Sequence, residues 1–204
     1  MKTNQPYLHQ LSVALIIGGK SRRFGSLKQI AKIKDRKLIE LAMEKAGQLS
    51  RHVMAVTGPH RFDLPAQIDQ YNDIYAERGP LGGIHTALHY CQTEYCAMIP
   101  CDMPLLNPDI YRLLYQFVSS DKPVAAVSHR GKEPLVSIWP KKLLPAITKA
   151  IQQNHLKLFR LLDELSAGYV DLPSALPDYQ KNYFCNINTP EDLGKILEMI
   201  DEHT

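Results

Sequence analysis

Cysteine, tryptophan and long apolar runs are all scarce in this chain, and each shortage closes off a class of protein. The four cysteines, Cys91, Cys96, Cys101 and Cys185, form no C-x-x-C pair. That argues against a disulfide scaffold and a structural zinc site and leaves buried free thiols as the expectation. The first apolar stretch, Leu11–Ile17, is seven residues long and ends in Gly18-Gly19. A membrane helix needs about 20 such residues, so neither a membrane span nor a signal peptide is expected, and the cytoplasm is the expected location. The single tryptophan and the scattered tyrosines have no basic clusters between them, which speaks against a nucleic-acid stacking platform. Charge of one sign is lacking too: 24 Lys and Arg stand against 21 Asp and Glu, a net of +3 spread along the chain. A small phosphate-bearing ligand suits that balance at least as well as a nucleic acid.

What the chain does contain is enough apolar material for a core, 45% of 204 residues, with no repeat or low-complexity linker. One domain over residues 11–204, after an extension at Met1–Gln10, is the expected organisation. Pro173–Pro177 reads as a loop too short to divide domains. Short apolar runs alternate with amphipathic stretches, the rhythm of βα units around a mostly parallel sheet. Strands are expected at Val13–Ile17, His52–Thr57, Asp73–Tyr75, Tyr95–Ile99, Val124–Ser128, Leu135–Trp139 and Tyr169–Leu172. Helices are expected at Lys37–Leu49, Leu81–Cys91, Pro108–Val118, Lys141–Gln152, Leu156–Leu165 and Pro190–Glu202. In the last, Leu193, Ile196, Leu197 and Ile200 recur at helical spacing, and Thr189-Pro190-Glu191-Asp192 supplies a hydroxyl cap, a first-turn proline and carboxylates at the positive end of the dipole.

The segment Gly18-Gly19-Lys20-Ser21-Arg22-Arg23-Phe24-Gly25-Ser26-Leu27-Lys28 concentrates the chemistry. Glycines directly after a buried strand let the backbone approach a ligand, and successive N–H groups there can face phosphate oxygens. Lys20, Arg22, Arg23 and Lys28 lie within reach to neutralise a triphosphate. A Walker A loop would need glycine where Ala14 stands, and the dinucleotide fingerprint needs Gly-x-Gly in place of Gly-Gly, so neither fits. The plainer alternative is a tight βα turn with solvated basic residues.

A second site candidate follows the strand at Tyr95–Ile99, in Pro100-Cys101-Asp102-Met103-Pro104. Ligands of open α/β sheets bind beyond the carboxyl ends of the strands. If both strands are parallel, Asp102 and the glycine loop share one edge, and the carboxylate can hold Mg²⁺ against phosphates. A turn-capping aspartate is the alternative. His85 and His89 have metal-binding spacing but lack the glutamate of a zincin motif, and partly exposed structural histidines are the expected reading.

These residues carry a resemblance. Ile16–Gly25 with Lys28, Gly79-Pro80-Leu81-Gly82-Gly83-Ile84, the Asp102 segment, Glu133-Pro134-Leu135, and Asn186-Ile187-Asn188-Thr189-Pro190-Glu191-Asp192-Leu193 resemble, in order and spacing, the molybdenum cofactor guanylyltransferases and the wider MobA-like NTP transferases. The resemblance implies a Rossmann-like three-layer α/β/α fold of the nucleotide-diphospho-sugar transferase type. It implies GMP transfer from GTP to the terminal phosphate of molybdopterin-bound cofactor, with Mg²⁺ as cofactor and molybdoenzymes or cofactor-insertion proteins as partners. Ile16, Ile17, Gly18, Gly19, Lys28, Asp73 and Asp102 would bind nucleotide, and Arg22, Lys28 and Asp102 would act in catalysis. Asp102 would carry the metal, while Asn186 and Asn188 would face the acceptor. The chain departs from the family at Phe24, Leu27 and Asp35-Arg36-Lys37-Leu38. The asparagine that helps to read guanine falls near Thr57 or Gly58. Cytidylyl transfer to molybdopterin, transfer to a sugar phosphate, and a nucleotide-binding module without turnover stay open as alternatives.

Overall fold

The computed structural model describes residues 7–17 and 31–201. Gly18, Gly19, Arg22 and Lys28 lie outside the described residues. In the described part, nine strands and seven helices follow one another along the chain. The strands are β1 (Leu11–Ile16), β2 (Lys32–Ile33), β3 (Arg36–Lys37), β4 (His52–Val56), β5 (Asp69–Tyr71), β6 (Tyr95–Pro100), β7 (Val124–Ser128), β8 (Gly131–Pro140) and β9 (Gly168–Asp171). The helices are α1 (Leu38–Gly47), α2 (Pro80–Tyr90), α3 (Asp109–Tyr115), α4 (Leu144–Gln152), α5 (Leu158–Glu164), α6 (Leu172–Ala175) and α7 (Pro190–Asp201).

Seven strands form one sheet in the order β5-β4-β1-β6-β8-β7-β9. β4, β1 and β6 pair in parallel, as do β5 with β4 and β9 with β7; β8 runs against both of its neighbours. Side chains of successive residues alternate between two apolar layers, as pleating demands. Leu11, Val13 and Leu15 of β1, with Ala97 and Ile99 of β6, pack beneath α1, α3 and α7. Ala14, Cys96, Met98 and Trp139 face α2, α4 and α5 on the other side. The fold is thus the expected three-layer α/β/α sandwich, and both faces of the central strands are buried because βα crossovers cover both.

Five details depart from the sequence expectations, and one is the short helix α6 at Leu172–Ala175, where the end of a strand and a loop are expected. The strand expected at Asp73–Tyr75 lies at Asp69–Tyr71, and Asp73 stands in the loop after it. There the Ile74 N–H bonds the Thr86 hydroxyl at 2.9 Å rather than a neighbouring strand. The small hairpin of β2 and β3 turns through Lys34 at φ 54°, in a polar stretch that shows no alternation. His85 is buried, not partly exposed. Cys91, Cys96 and Cys101 are buried, but Cys185 is only half-buried.

β8 contains a bulge that shapes the sheet end. Ala125 of β7 pairs with Ser137, yet the next residue, Ala126, pairs with Glu133, so Pro134–Val136 have no partners on β7. Pro134 has no N–H to lose there. The Ser137 hydroxyl donates to the Pro134 carbonyl at 2.9 Å and accepts the buried Trp139 Nε1–H at 2.9 Å.

Candidate active site

The order of the strands fixes where a ligand can sit. From β1 the chain moves to one side, through β4 and β5, and then returns to the other side of β1 as β6. Such a switch point opens a crevice beyond the carboxyl ends of the two parallel strands. Those ends are tied together, with the Ile17 N–H on the Val56 carbonyl at 2.9 Å and the Cys101 N–H on the Ile16 carbonyl at 3.3 Å. β1 ends and Asp102 leaves β6 at this edge, because β1 and β6 are parallel and in register from Leu11 with Tyr95 to Ile16 with Pro100.

Asp102 is half-buried, and its carbonyl accepts the Ile187 N–H at 2.9 Å. This one bond brings the Asn186-Ile187-Asn188 segment, more than 80 residues distant in sequence, against the Asp102 loop. The Asn186 Oδ1 is buried with no hydrogen-bond partner among the described residues, an acceptor held ready for an N–H donor. Asn188 is exposed. Its N–H donates to Asp192 Oδ2 at 2.9 Å, as does that of Thr189, while the Asp192 N–H donates to the Thr189 hydroxyl at 3.2 Å. The α7 cap read from the sequence therefore also fixes the asparagine motif. The Asn188 N–H holds the Asp192 carboxyl below its ordinary value.

Asp73 reaches the same edge from the other side. Its carboxyl lies over the first turns of α2, where a Cβ on Gly83 would meet Ile16 methyls at 3.6 and 3.7 Å and Asp73 Oδ1 at 4.0 Å. Gly82 is required by close approach: a Cβ there would stand 2.7 Å from the Tyr75 carbonyl. Ile16, Asp73 and the two glycines are thereby brought together. Burial pushes the Asp73 carboxyl above its ordinary value. The loop is also braced by the Tyr75 ring, edge-on to His85 at 4.8 Å.

His85 serves packing. The Thr148 hydroxyl gives its proton to the Leu144 carbonyl at 2.8 Å, so the 3.0 Å contact with His85 Nε2 requires the imidazole to donate. Burial, with the neighbouring His89, keeps that ring below its ordinary pKa. His89 is exposed. Among the described residues, no group of three or more His, Cys, Asp or Glu stands close enough to hold a metal ion alone. Mg²⁺ does not ask for that, since it binds through one or two carboxylates plus substrate phosphates. Asp102, a half-buried carboxylate directly after β6 at the carboxyl edge of the sheet, has the chemistry for that role.

Three residues at this edge carried no assigned role in the sequence. Glu133 is buried at the β8 bulge, accepting from the Ser128 hydroxyl at 2.8 Å. Thr86 is buried and accepts the Ile74 N–H. The Lys45 ammonium donates to the Pro104 carbonyl in the Asp102 loop. Burial lowers its pKa to about 8. A lysine on an amphipathic helix reads as solvated, so no sequence signal marks it.

A three-layer α/β/α sheet with its crevice at the β1/β6 switch point is an architecture that nucleotidyltransferases share, and the comparisons place the chain among them. The cytidylyltransferase for 2-C-methyl-D-erythritol 4-phosphate from Thermus thermophilus shares the fold, with a TM-score of 0.66 at 11% identity over 92% of this chain and 98% of that one. The molybdopterin-guanine dinucleotide biosynthesis protein A from Archaeoglobus fulgidus superposes with a TM-score of 0.78 at 25% identity, covering 94% of this chain and 99% of that one. A molybdenum cofactor guanylyltransferase of Syntrophotalea carbinolica is 31% identical, over 90% of this chain and 89% of the relative. Residues 13–167 match the MobA-like NTP transferase domain, and the chain belongs to that family.

Proposed function

We propose that this protein transfers GMP from GTP to the terminal phosphate of molybdopterin-bound cofactor, releasing pyrophosphate and leaving a guanine dinucleotide. The observation that carries the reading is the junction of Asp102 with the Asn186–Asn188 segment through the Ile187 N–H, at the β1/β6 switch point. It brings the residues proposed for nucleotide and acceptor against one another, which supports a transferase over a simple nucleotide binder.

In this mechanism the Ile16–Gly19 backbone cradles the nucleotide, with Asp73 beside it, and Arg22 and Lys28 neutralise the phosphates. A terminal oxygen of the acceptor phosphate attacks the α-phosphorus; the new P–O bond forms as the bond to the β-phosphate oxygen breaks, and pyrophosphate leaves. Asp102 would hold Mg²⁺, and the ion would supply charge neutralisation at the phosphate being transferred. Asn186 and Asn188 orient the acceptor, the first through its unpartnered amide oxygen. We place the reaction in the cytoplasm, with molybdoenzymes or cofactor-insertion proteins receiving the product.

The test is incubation with GTP or CTP, Mg²⁺ and metal-loaded molybdopterin, followed by mass analysis. A guanine dinucleotide product is expected. A cytosine dinucleotide alone would replace the reading with its nearest rival. The family asparagine that helps to read guanine falls near Thr57 or Gly58, and the Thr57 hydroxyl makes only long contacts with the Gly58 and Tyr71 carbonyls, at 3.4 and 3.5 Å. Absence of pyrophosphate release with any nucleotide would leave a binding module.

A further inference from the structure

We propose that Lys45 is a positioning residue for Asp102: reaching from the last turn of α1, its ammonium grips the Pro104 carbonyl and fixes the loop that presents the Asp102 carboxylate. The inference rests on the metal-binding role assigned to Asp102 above.

Three consecutive carbonyls of that loop are tied down, each differently. Asp102 gives its carbonyl to the Ile187 N–H at 2.9 Å and Met103 to the Leu106 N–H at 3.2 Å. Pro104 gives its own to Lys45. Only the last tie is a charged side chain from a distant element, and without it the far end of the loop would have one anchor fewer. The Cys101 N–H already secures the near end on Ile16.

The ordinary explanation for a lysine at a helix C-terminus is that it serves the helix's own carbonyls. That task is taken here, since Gln48 N–H bonds the Lys45 carbonyl at 3.2 Å, and Leu49 and Ser50 N–H bond that of Ala46 at 3.0 and 3.1 Å. Lys45 instead spans 59 positions of sequence to reach Pro104. Its surroundings do not pay for the charge. Among the described residues, Glu44 is the one carboxylate acting on it and is itself paired with Arg36 at 2.7 Å, while Arg36 opposes the ammonium and Cys101 is the other titratable neighbour. A partly buried ammonium held at a desolvation cost, on the backbone of a ligand-bearing loop, is what an outer-shell support of a metal ligand looks like.

The experiment compares wild type, Lys45→Met, Lys45→Arg and Asp102→Asn. It measures Mn²⁺ affinity of the GTP-loaded protein by electron paramagnetic resonance, steady-state pyrophosphate release, thermal melting, and hydrogen exchange at Leu105 and Leu106. Losing such a support costs about 10- to 100-fold in metal affinity or rate. Lys45→Met is expected to weaken Mn²⁺ binding and lower kcat on that scale, to speed exchange at Leu105 and Leu106, and to leave KM for GTP within about twofold and the melting temperature no lower. Lys45→Arg should recover most of the Mn²⁺ affinity. Wild-type Mn²⁺ affinity and kcat in Lys45→Met would overturn the proposal, and so would losses that track a fall in melting temperature. If Asp102→Asn itself binds Mn²⁺ and turns over normally, the role of Asp102 fails first and takes the proposal with it.

Discussion

Replacing Lys45 by methionine makes a stability prediction whose sign runs against intuition for a lost hydrogen bond. Burial lowers the Lys45 pKa from its ordinary 10.5 to about 8. Between those values the unfolded chain holds a proton that the folded chain has shed, so stability rises with pH across that window. Below pH 8 both states are protonated and the folded state carries the whole penalty. The shift of 10.5 − 8 = 2.5 corresponds to about 3 kcal/mol at about 1.36 kcal/mol per unit. By pH 9 about 1 kcal/mol of that penalty has been relieved. Methionine removes the penalty and leaves the Pro104 carbonyl without its partner, a loss of about 1–3 kcal/mol. Lys45→Met should therefore be as stable as wild type at pH 7, or more so. Urea titrations at pH 7 and pH 9 on both proteins isolate the effect, because every other titrating group cancels in the difference of differences. Wild type should gain about 1 kcal/mol on the variant over that interval. Parallel pH dependences would show that the ammonium is not desolvated, and the reasoning would be wrong.

Other perturbations test the rest of the site. Asp102→Ala should lower pyrophosphate release by about 10²–10³ at saturating nucleotide; near-normal turnover at limiting Mg²⁺ would remove Asp102 from the metal site. Gly82→Ala places a Cβ 2.7 Å from the Tyr75 carbonyl, which should cost about 1–3 kcal/mol in a urea melt and raise KM for nucleotide by moving the Asp73 loop. Thr86→Val strands the Ile74 N–H and should cost about 1–3 kcal/mol, again with the larger kinetic effect on nucleotide KM than on acceptor KM. Asp73→Asn removes a carboxyl that burial disfavours as an anion, so thermal melting at pH 7 should rise slightly while nucleotide affinity falls.

The fold was legible wherever burial acts on both faces of an element. β7 falls where the sequence puts it, and β1, β4 and β6 differ by one or two residues at their ends, because central strands between two helix layers must be apolar throughout. The edge strand Asp69–Tyr71 has no such constraint, and its pairing with β4 is invisible in a polar tripeptide. The apolar Ile74-Tyr75 pair looked more like a strand, yet Ile74 is exposed and its N–H is held by a hydroxyl from α2. At the candidate site, the short motifs after β6 and before α7 marked Asp102 and Asn186 as candidates, while the bond from the Ile187 N–H that joins the two segments could not be read from sequence. Lys45, Thr86 and Gly82 act through atoms 59, 12 and 7 residues away, and that proximity exists only once the layers have assembled.

The two loops that flank Asp102 hang on different parts of the molecule, which has a consequence for how activity fails. On the side proposed for the nucleotide, Asp73–Tyr75 depends on α2, through Thr86, Gly82 and the Tyr75–His85 contact. On the other side, Asn186–Asn188 depends on the α7 cap and on the Asp102 carbonyl. Asp102 is bonded to the Asn186–Asn188 segment through its carbonyl and directly follows β6, the parallel neighbour of β1. Damage to α2 should therefore appear in nucleotide binding and damage to the Thr189–Asp192 cap in acceptor binding, each leaving the other affinity near its starting value. Damage at Asp102 or its anchors should lower kcat without either signature. A variant of Asp192 that weakened GTP binding as much as acceptor binding would show that the two loops move as one, and the division of labour argued from their anchors would not hold.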